Sequence, residues 1–344
     1  SASPPSSCWD YSIEDGIEVD EGGAGEQLLH QSTRNFYTFN QEEFVTNLTA
    51  ASNAFHVDNA ALTANTMGLA ADTSAADIAD LINYIRSDGD YHPQNGSKKR
   101  EWVLGDILHS KPAVLRDGDK NIVFVGANDG FLHCFEDDEG STYDDLSDDD
   151  VTEQWCFTPW DLLPKLHTLR STNTHEYFVD GSPVLHRVND DLYLTFGLRR
   201  GGNKYYTLKV GTYANDVYVP NGYKTPEWAW EIDDDILAPD AMLGQSWSTP
   251  RACWIKTGAQ SSTPVLILAG GYDAANQDLN SPAGTDTYGR AIYAVNADDG
   301  TLSPLLAFTP TNLNTLTHSI VDLISYDSNN DGCDDKIYAG DMGG

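Results

Sequence analysis

From Trp102 onward the chain alternates short β-branched and aromatic runs with Gly, Asn and Asp, the pattern of strands joined by turns. The clearest pair is Ile122-Val-Phe-Val-Gly-Ala127 and Phe131-Leu-His-Cys-Phe135, two apolar runs around the turn Asn128-Asp129-Gly130. Leu194–Gly197 with Tyr205–Leu208, and Leu266–Gly270 with Ala291–Val295, repeat the plan, the last with a longer insertion. A further strand follows each pair, at Gln154–Phe157, Trp228–Glu231 and Leu305–Phe308. Ahead of each pair stands a Ser-Pro element: Ser110-Lys-Pro112, Ser182-Pro183 and Ser248-Thr-Pro250, with His318-Ser-Ile-Val321 one period further along. The period is about 70 residues, against ~40 to 50 in common propeller repeats, so each unit carries long loops. Three four-stranded units and the start of a fourth predict an all-β fold, a β-propeller built from four-stranded antiparallel blades. Such rings hold ~4 to 8 blades, so the propeller is incomplete in this chain and the natural chain is expected to continue past Gly344. A β-sandwich is the runner-up, disfavoured by the length and regularity of the repeat.

The N-terminal third reads differently. Residues 1–21 are Ser/Pro-rich and then acidic, an exposed linker without a fold of its own. Residues 22–100 turn to Ala, Asn, Leu and Gln and form a small, partly helical segment packed on the propeller, which itself occupies 101–344. Two helices are predicted there, over Gln41–Ala51 and Ser74–Arg86. In the second, Ser74 is placed to cap while Ile78, Leu81, Ile82 and Ile85 recur at the spacing of one buried face.

Charge narrows the class of partner. The 344 residues hold 53 Asp and Glu against 20 Lys and Arg, a formal charge of −33 at pH 7. That balance argues against nucleic acid and anionic membranes, and it suits divalent cations. No apolar run approaches the ~20 residues of a membrane-spanning helix, and the opening Ser-Ala-Ser-Pro-Pro is no secretory signal. Either a signal was removed or the chain is an internal piece of a longer protein. Five cysteines are too few for a disulfide scaffold, although Cys134 and Cys156 fall on neighbouring predicted strands and are a candidate pair for an oxidising compartment.

One stretch carries metal chemistry. Asp327-Ser-Asn-Asn-Asp331-Gly332-Cys333-Asp-Asp335 alternates oxygen-bearing side chains and has glycine at its sixth position. Ca²⁺ takes six to eight oxygen ligands, and EF-hand-like loops supply them from positions 1, 3, 5, the carbonyl of 7, and 9. Those positions are Asp327, Asn329, Asp331, Cys333 and Asp335. The twelfth is Tyr338 where an EF-hand has Glu, so the loop is not an EF-hand; its flanks, Ser319–Ser325 and Lys336–Ala339, make it a connection between two strands. A metal-free Asn/Asp/Gly turn is the competing reading.

Other candidates are weaker. No His-Glu-x-x-His, Cys-x-x-Cys or Gly-x-Ser-x-Gly is present, and His109, His133, His167 and His175 read as structural. The acidic run Asp137–Asp150 lacks alternation and reads as a solvated loop, and Tyr272–Asn280 lacks the glycine. Arg199, Arg200 and Lys204 form the notable basic cluster and are expected to pair with acidic loops.

Taken together, Trp102-Val-Leu-Gly105-Asp-Ile-Leu-His-Ser110-Lys-Pro112, Val125-Gly-Ala-Asn-Asp-Gly130-Phe-Leu-His133 and His175–Pro183 resemble the C-terminal domain of type IV pilus-tip adhesins of the PilC/PilY family. The likeness continues through Gly197–Tyr205, Trp247–Pro250, Ala269–Asp273, Gly289–Tyr293 and Tyr338–Asp341, and reaches upstream to Gly22–Gln27, Arg34–Thr38 and Leu81–Arg86. The resemblance implies a modified, quinoprotein-like β-propeller. It implies an exported, non-enzymatic pilus biogenesis factor and adhesin at the extracellular pilus tip, partnered with minor pilins and switched by Ca²⁺ bound at Asp327, Asn329, Asp331, Cys333 and Asp335. Some relatives carry Arg-Gly-Asp for integrin contact; this chain has Arg86-Ser-Asp88, so no host-integrin role is implied. The alternative function is a calcium-stabilised, quinoprotein-like propeller dehydrogenase.

Overall fold

The computed structural model describes residue 9 and residues 23–138, 150–170, 174–237, 243–281, 284–309 and 316–343. The linker at 1–21, Trp9 excepted, and most of the acidic run between Asp137 and Asp150 lie outside the described residues. In chain order the elements are α1 (Gly23–His30), β1 (Phe36–Tyr37), α2 (Ala75–Arg86), β2 (Ala113–Asp117), β3 (Lys120–Gly126), β4 (Leu132–Asp138) and β5 (Asp150–Phe157). There follow β6 (Val184–Val188), β7 (Asp191–Gly197), β8 (Tyr205–Ala214), β9 (Val217–Tyr218), β10 (Glu227–Ile232), α3 (Asp234–Leu237), β11 (Arg251–Lys256) and β12 (Ser262–Ala269). The last are α4 (Ala274–Gln277), β13 (Ile292–Asn296), β14 (Leu302–Phe308), β15 (Ile320–Tyr326) and β16 (Lys336–Asp341). The chain divides into two compact units, one of residues 1–108, 112–176 and 218–227, the other of residues 109–111, 177–217 and 228–344.

The first unit is built on one sheet ordered β1-β5-β4-β3-β2. Strands β2 to β5 form the expected antiparallel blade, with the Asn128-Asp129-Gly130 turn between Gly126 and Leu132. Strand β1 adds a fifth, parallel member, Phe36 lying opposite Cys156. Leu28 of α1 and Val103 pack with Val125, Phe135 and Val151 of the sheet, so the N-terminal segment shares this unit's core.

Helix α2 has the predicted bounds and cap. The Ser74 hydroxyl accepts the N–H of Asp77, Leu81, Ile82 and Ile85 are buried, and Ser87 ends the helix in the left-handed region at φ 55°. The helix expected over Gln41–Ala51 does not form; turns and a short 3₁₀ segment at Ala51–Asn53 replace it. Asparagine side chains take the backbone groups that a helix needs. Asn53 donates to the carbonyls of Val45 (2.6 Å) and Asn47 (2.9 Å), while Asn40 and Asn47 accept the N–H groups of Glu42 and Thr49.

The expected Cys134–Cys156 pair is also corrected. Both thiols are buried and free. Cys134 lies opposite Trp155 and Cys156 opposite His133, and side chains one residue out of step point to opposite faces of a sheet.

The second unit contains three sheets: β10-β8-β7-β6, β11-β12-β13-β14, and the hairpin β15-β16. These are the predicted second and third four-stranded repeats and the start of the fourth. Leu266, Leu268, Tyr293 and Val295 fill a core with Tyr205, Trp230 and Ile232, while Ile255, Val265, Ile267 and Ala294 bury Ile320 and Leu323. The serines of the Ser-Pro elements tie strand ends together. Ser182 Oγ accepts the N–H of Lys111 at 3.0 Å, and Ser248 Oγ that of Ala269 at 3.1 Å. The repeat length shows in a second device. In the first unit Trp155 of β5 donates its indole N–H to the Tyr223 carbonyl (2.7 Å); in the second, Trp230 of β10 donates to Asp298 (3.0 Å), each across 68 residues. Gly300, at φ 72°, lies so close that a Cβ there would stand 2.7 Å from the Trp230 ring.

Candidate functional site

The Asp327–Asp335 stretch joins β15 to β16, which pair from Tyr326 opposite Lys336. Its backbone wraps around the first carboxylate. Asp327 Oδ1 accepts the N–H groups of Asn329 (3.2 Å) and Asp331 (3.3 Å), and Oδ2 accepts that of Gly332 (2.8 Å). Asn330 and Gly332 make the turn in the left-handed region, at φ 59° and 86°; the glycine's would-be Cβ meets open space, so conformation explains its choice. Asn329 Oδ1 accepts the N–H of Asp331 (3.0 Å), and Asp331 Oδ1 that of Cys333 (3.1 Å). Asp335 closes the loop, accepting the N–H and hydroxyl of Ser328 (3.0 and 2.9 Å) and the amide of Asn329 (3.1 Å).

Four of the five sequence-predicted ligands are thus joined side chain to backbone or side chain to side chain, and Cys333 contributes a buried thiol and a carbonyl. The N–H bonds offset part of the repulsion among the four aspartates of these nine residues, and the Ser328 bonds hold Asp335 below its ordinary range. An ionised carboxylate offers about four lone-pair sites, so each of these groups retains acceptors after its N–H bonds. The donor set is hard oxygen throughout, and in donor chemistry the residues fit Ca²⁺.

The loop also docks on β11. The Asp334 N–H donates to the Trp254 carbonyl at 2.8 Å, and the ammonium of Lys256 is bonded and ion-paired to Asp331 Oδ2. That contact is the first cause of a lowered Asp331 pKa. No pattern in the sequence places Lys256 at the loop: the two are 75 residues apart, and strand pairing alone brings them together.

A second cluster escapes the sequence reading. Among the described residues, the one trio of His, Cys, Asp or Glu ligand atoms within 4.8 Å of each other is His133, Glu153 and Cys156, all buried in the first unit; the loop aspartates do not converge to that distance. Two of the three belong to a closed ion network, while the Cys156 thiol donates to the Asn35 carbonyl. Arg34 donates to both Glu153 oxygens (2.6 and 2.9 Å), and His133 donates to Glu153 (2.6 Å) and Asp129 (3.2 Å), with Asp129 also accepting the Gly105 N–H (3.0 Å). Burial alone would push His133 down, but Asp129 and Glu153 hold it up at about 9; burial would raise Glu153, yet Arg34 and His133 hold it at about 2. With both ring nitrogens donating, His133 has no lone pair for a metal. The signal was available in part: Asp129 lies in the hairpin turn, His133 follows it in β4, and Glu153 alternates with Val151 and Trp155 on the buried face of β5.

The remaining predicted groups behave as structural. His109 donates to the buried Asp180 carboxylate (2.7 Å) and His175 to Asp106 (3.0 Å). Arg200 pairs with Asp278 (2.9 Å), Lys204 with Glu231 (3.0 Å), and Arg199 sits 3.8 Å from Asp180 and over the Trp247 ring, as expected of a cluster facing acidic neighbours. Asp273 caps α4 and accepts the N–H groups of Thr287 and Tyr288, so the Tyr272–Asn280 stretch is an ordered turn.

Comparison with known proteins follows the same lines. The chain is 26% identical over 311 residues to the type IV pilus biogenesis factor PilY1 of Pseudomonas aeruginosa strain UCBPP-PA14, covering 80% of this chain and 22% of that protein. A PilY1 homolog of Xylella fastidiosa strain Temecula1 is 26% identical over 309 residues, 77% of this chain and 18% of its own length. The chain therefore spans about a fifth of the length of these curated relatives. The crystal structure of the Pseudomonas aeruginosa PilY1 C-terminal domain aligns with a TM-score of 0.41 and 24% identity, over 65% of this chain and 37% of that one. The model of the PilY1 β-propeller domain matches residues 109–344, more than half of the chain, which therefore belongs to the PilY1 β-propeller family.

Proposed function

We propose that this chain is the calcium-binding propeller portion of a type IV pilus biogenesis factor and adhesin that works at the pilus tip outside the cell, in contact with minor pilins, and without catalysis. The observation that carries the reading is the β15–β16 loop: alternating Asp327, Asn329, Asp331 and Asp335 on a hairpin whose backbone N–H groups already pre-order the first carboxylate. Asp327, Asn329, Asp331 and Asp335 through their side chains, and Cys333 through its carbonyl, would hold the ion. Bound Ca²⁺ supplies two positive charges that tie the loop's ends together. The chain's own contribution is orientation: the Asp334 bond to Trp254 fixes the loop against β11, so ordering of the hairpin is felt by the neighbouring sheet.

The pilus role is carried over from the relatives, which are named as type IV pilus biogenesis factors. No helix among the described residues is long and apolar enough to cross a membrane. The test has two parts. Calcium titration by calorimetry should show saturable uptake that Asp331→Ala abolishes; equal uptake by the variant rejects the site. Expression of the full-length protein carrying Asp331→Ala in a piliated host that lacks its own family member should leave surface pili or attachment impaired, and full complementation rejects the functional link. The competing dehydrogenase reading predicts a visible quinone absorbance band on purified protein, which the adhesin reading does not.

A further inference from the structure

Lys256 ends β11, and β11 is the edge strand of its sheet, ordered β11-β12-β13-β14. Its register opposite Ser262 in β12 directs the side chain away from the core; 55% of it is exposed. An exposed lysine in so acidic a chain has many carboxylates to choose from, yet its ammonium is bonded to Asp331 Oδ2, the fifth position of the loop. Asp331's other oxygen accepts the Cys333 N–H. Both oxygens of this one ligand are therefore engaged by donors, and one donor is a full positive charge. The placement is held from outside the lysine, because the Asp334–Trp254 backbone bond sets the loop two residues along β11 from Lys256.

We propose that Lys256 is an intramolecular competitor for the cation of the Asp327–Asp335 loop: its ammonium occupies Asp331 until a divalent ion displaces it, and so this lysine sets the affinity of the site. The inference rests on the calcium reading above and adds to it a regulator that lies outside the loop. Two like-signed charges cannot share Asp331 without repulsion, since both seek the same lone pairs within a few ångströms. Binding of Ca²⁺ releases the Lys256 side chain to solvent, and the free energy of the ion pair is subtracted from that of binding. Because the pair is exposed and screened, the effect is moderate, roughly two- to fivefold in Kd. The same logic makes the loop selective for charge: a divalent ion competes with the tethered ammonium better than a monovalent one.

The experiment compares calcium titrations of this chain and of Lys256→Gln at 0.15 M salt, with Lys209→Gln as the control for loss of one positive charge. Lys209 is paired with Asp191 at 2.7 Å and takes no part in the loop. In parallel, Lys256 is labelled with an amine-reactive reagent with and without Ca²⁺ and quantified by mass spectrometry. The expected result is a Kd lowered roughly two- to fivefold in Lys256→Gln and nearly unchanged in Lys209→Gln, with calcium raising the labelling of Lys256 in the unmodified chain. A Lys256→Gln Kd equal to or weaker than that of the parent, or labelling that calcium leaves unchanged, overturns the competitor role while the calcium reading stands. Absence of saturable uptake by both proteins overturns the calcium reading and this inference with it.

Discussion

At the residue scale the chain places its charges in two opposite environments. Arg34, Glu153, His133 and Asp129 are ionised and buried, and breaking such a network from one side leaves an uncompensated charge. Glu153→Gln should therefore destabilise by about 3–5 kcal/mol in denaturant unfolding, well beyond the effect of truncating an exposed pair such as Arg187–Asp216. The network also predicts a pH profile. His133 is raised in the fold to about 9, so its stabilisation is complete below the unfolded value near 6.5 and is lost as pH rises through about 9. Glu153 is lowered to about 2, so its share is complete above about 4.5 and lost as pH falls towards 2. Thermal unfolding should show this contribution at its greatest between about pH 4.5 and 6.5, and a loss on the order of 3 kcal/mol by pH 9.5 that His133→Asn lacks. A flat difference between parent and variant across pH 6.5–9.5 contradicts the assignment. The loop aspartates are the counterpart: exposed or half-buried, and held by N–H donors and one ammonium.

At the element scale, local signals succeed where side chains agree with the backbone and fail where they compete with it. Helix α2 has a capping serine, an apolar stripe at i, i+3, i+4 and i+7 of which Leu81, Ile82 and Ile85 are buried, and a left-handed stop. Gln41–Ala51 has helix-permissive residues without a stripe, and Asn40, Asn47 and Asn53 bond the backbone into turns; side-chain-to-backbone bonds of this kind compete with the helix and leave no mark in hydrophobic periodicity. Ser74→Ala should cost about 1 kcal/mol, measured by chemical denaturation. The tryptophan device of the blades is an element-scale feature as well. Gly300→Ala forces a Cβ into the Trp230 ring at a backbone angle that favours glycine, so it should destabilise by roughly 1–3 kcal/mol, and a smaller side chain at 230 should recover part of that loss in a double-mutant cycle. Strict additivity of the two changes would show that they do not touch.

At the scale of the whole molecule, the charge of −33 makes the chain's stability sensitive to cations, specific and screening alike. A ligand that binds only the folded state at 100 times its Kd stabilises by about 2.7 kcal/mol, so Ca²⁺ should raise Tm, EDTA should reverse the rise, and Asp331→Ala should remove it. A rise equal in the variant and the parent would mark general screening in place of a site.

The repeat, its period and its strands were legible in the sequence because each blade strand writes its own alternation and each turn its own Asn, Asp or Gly. The turn between β15 and β16 was legible for the same reason: nine consecutive residues hold its Asn, Asp and Gly, and the runs on either side read as strands. The blades' phase even explains the missing twelfth-position Glu, since Lys336 begins β16 and residues beyond it belong to a ladder. What only the tertiary structure decided is every relation between residues far apart in sequence. It placed Cys134 and Cys156 on opposite faces, joined Arg34 to Glu153 across 119 residues, and brought Lys256 onto Asp331 across 75. Periodicity reports which face of a strand is buried; it carries no record of which strand lies beside it, and electrostatic partners are chosen by that neighbourhood.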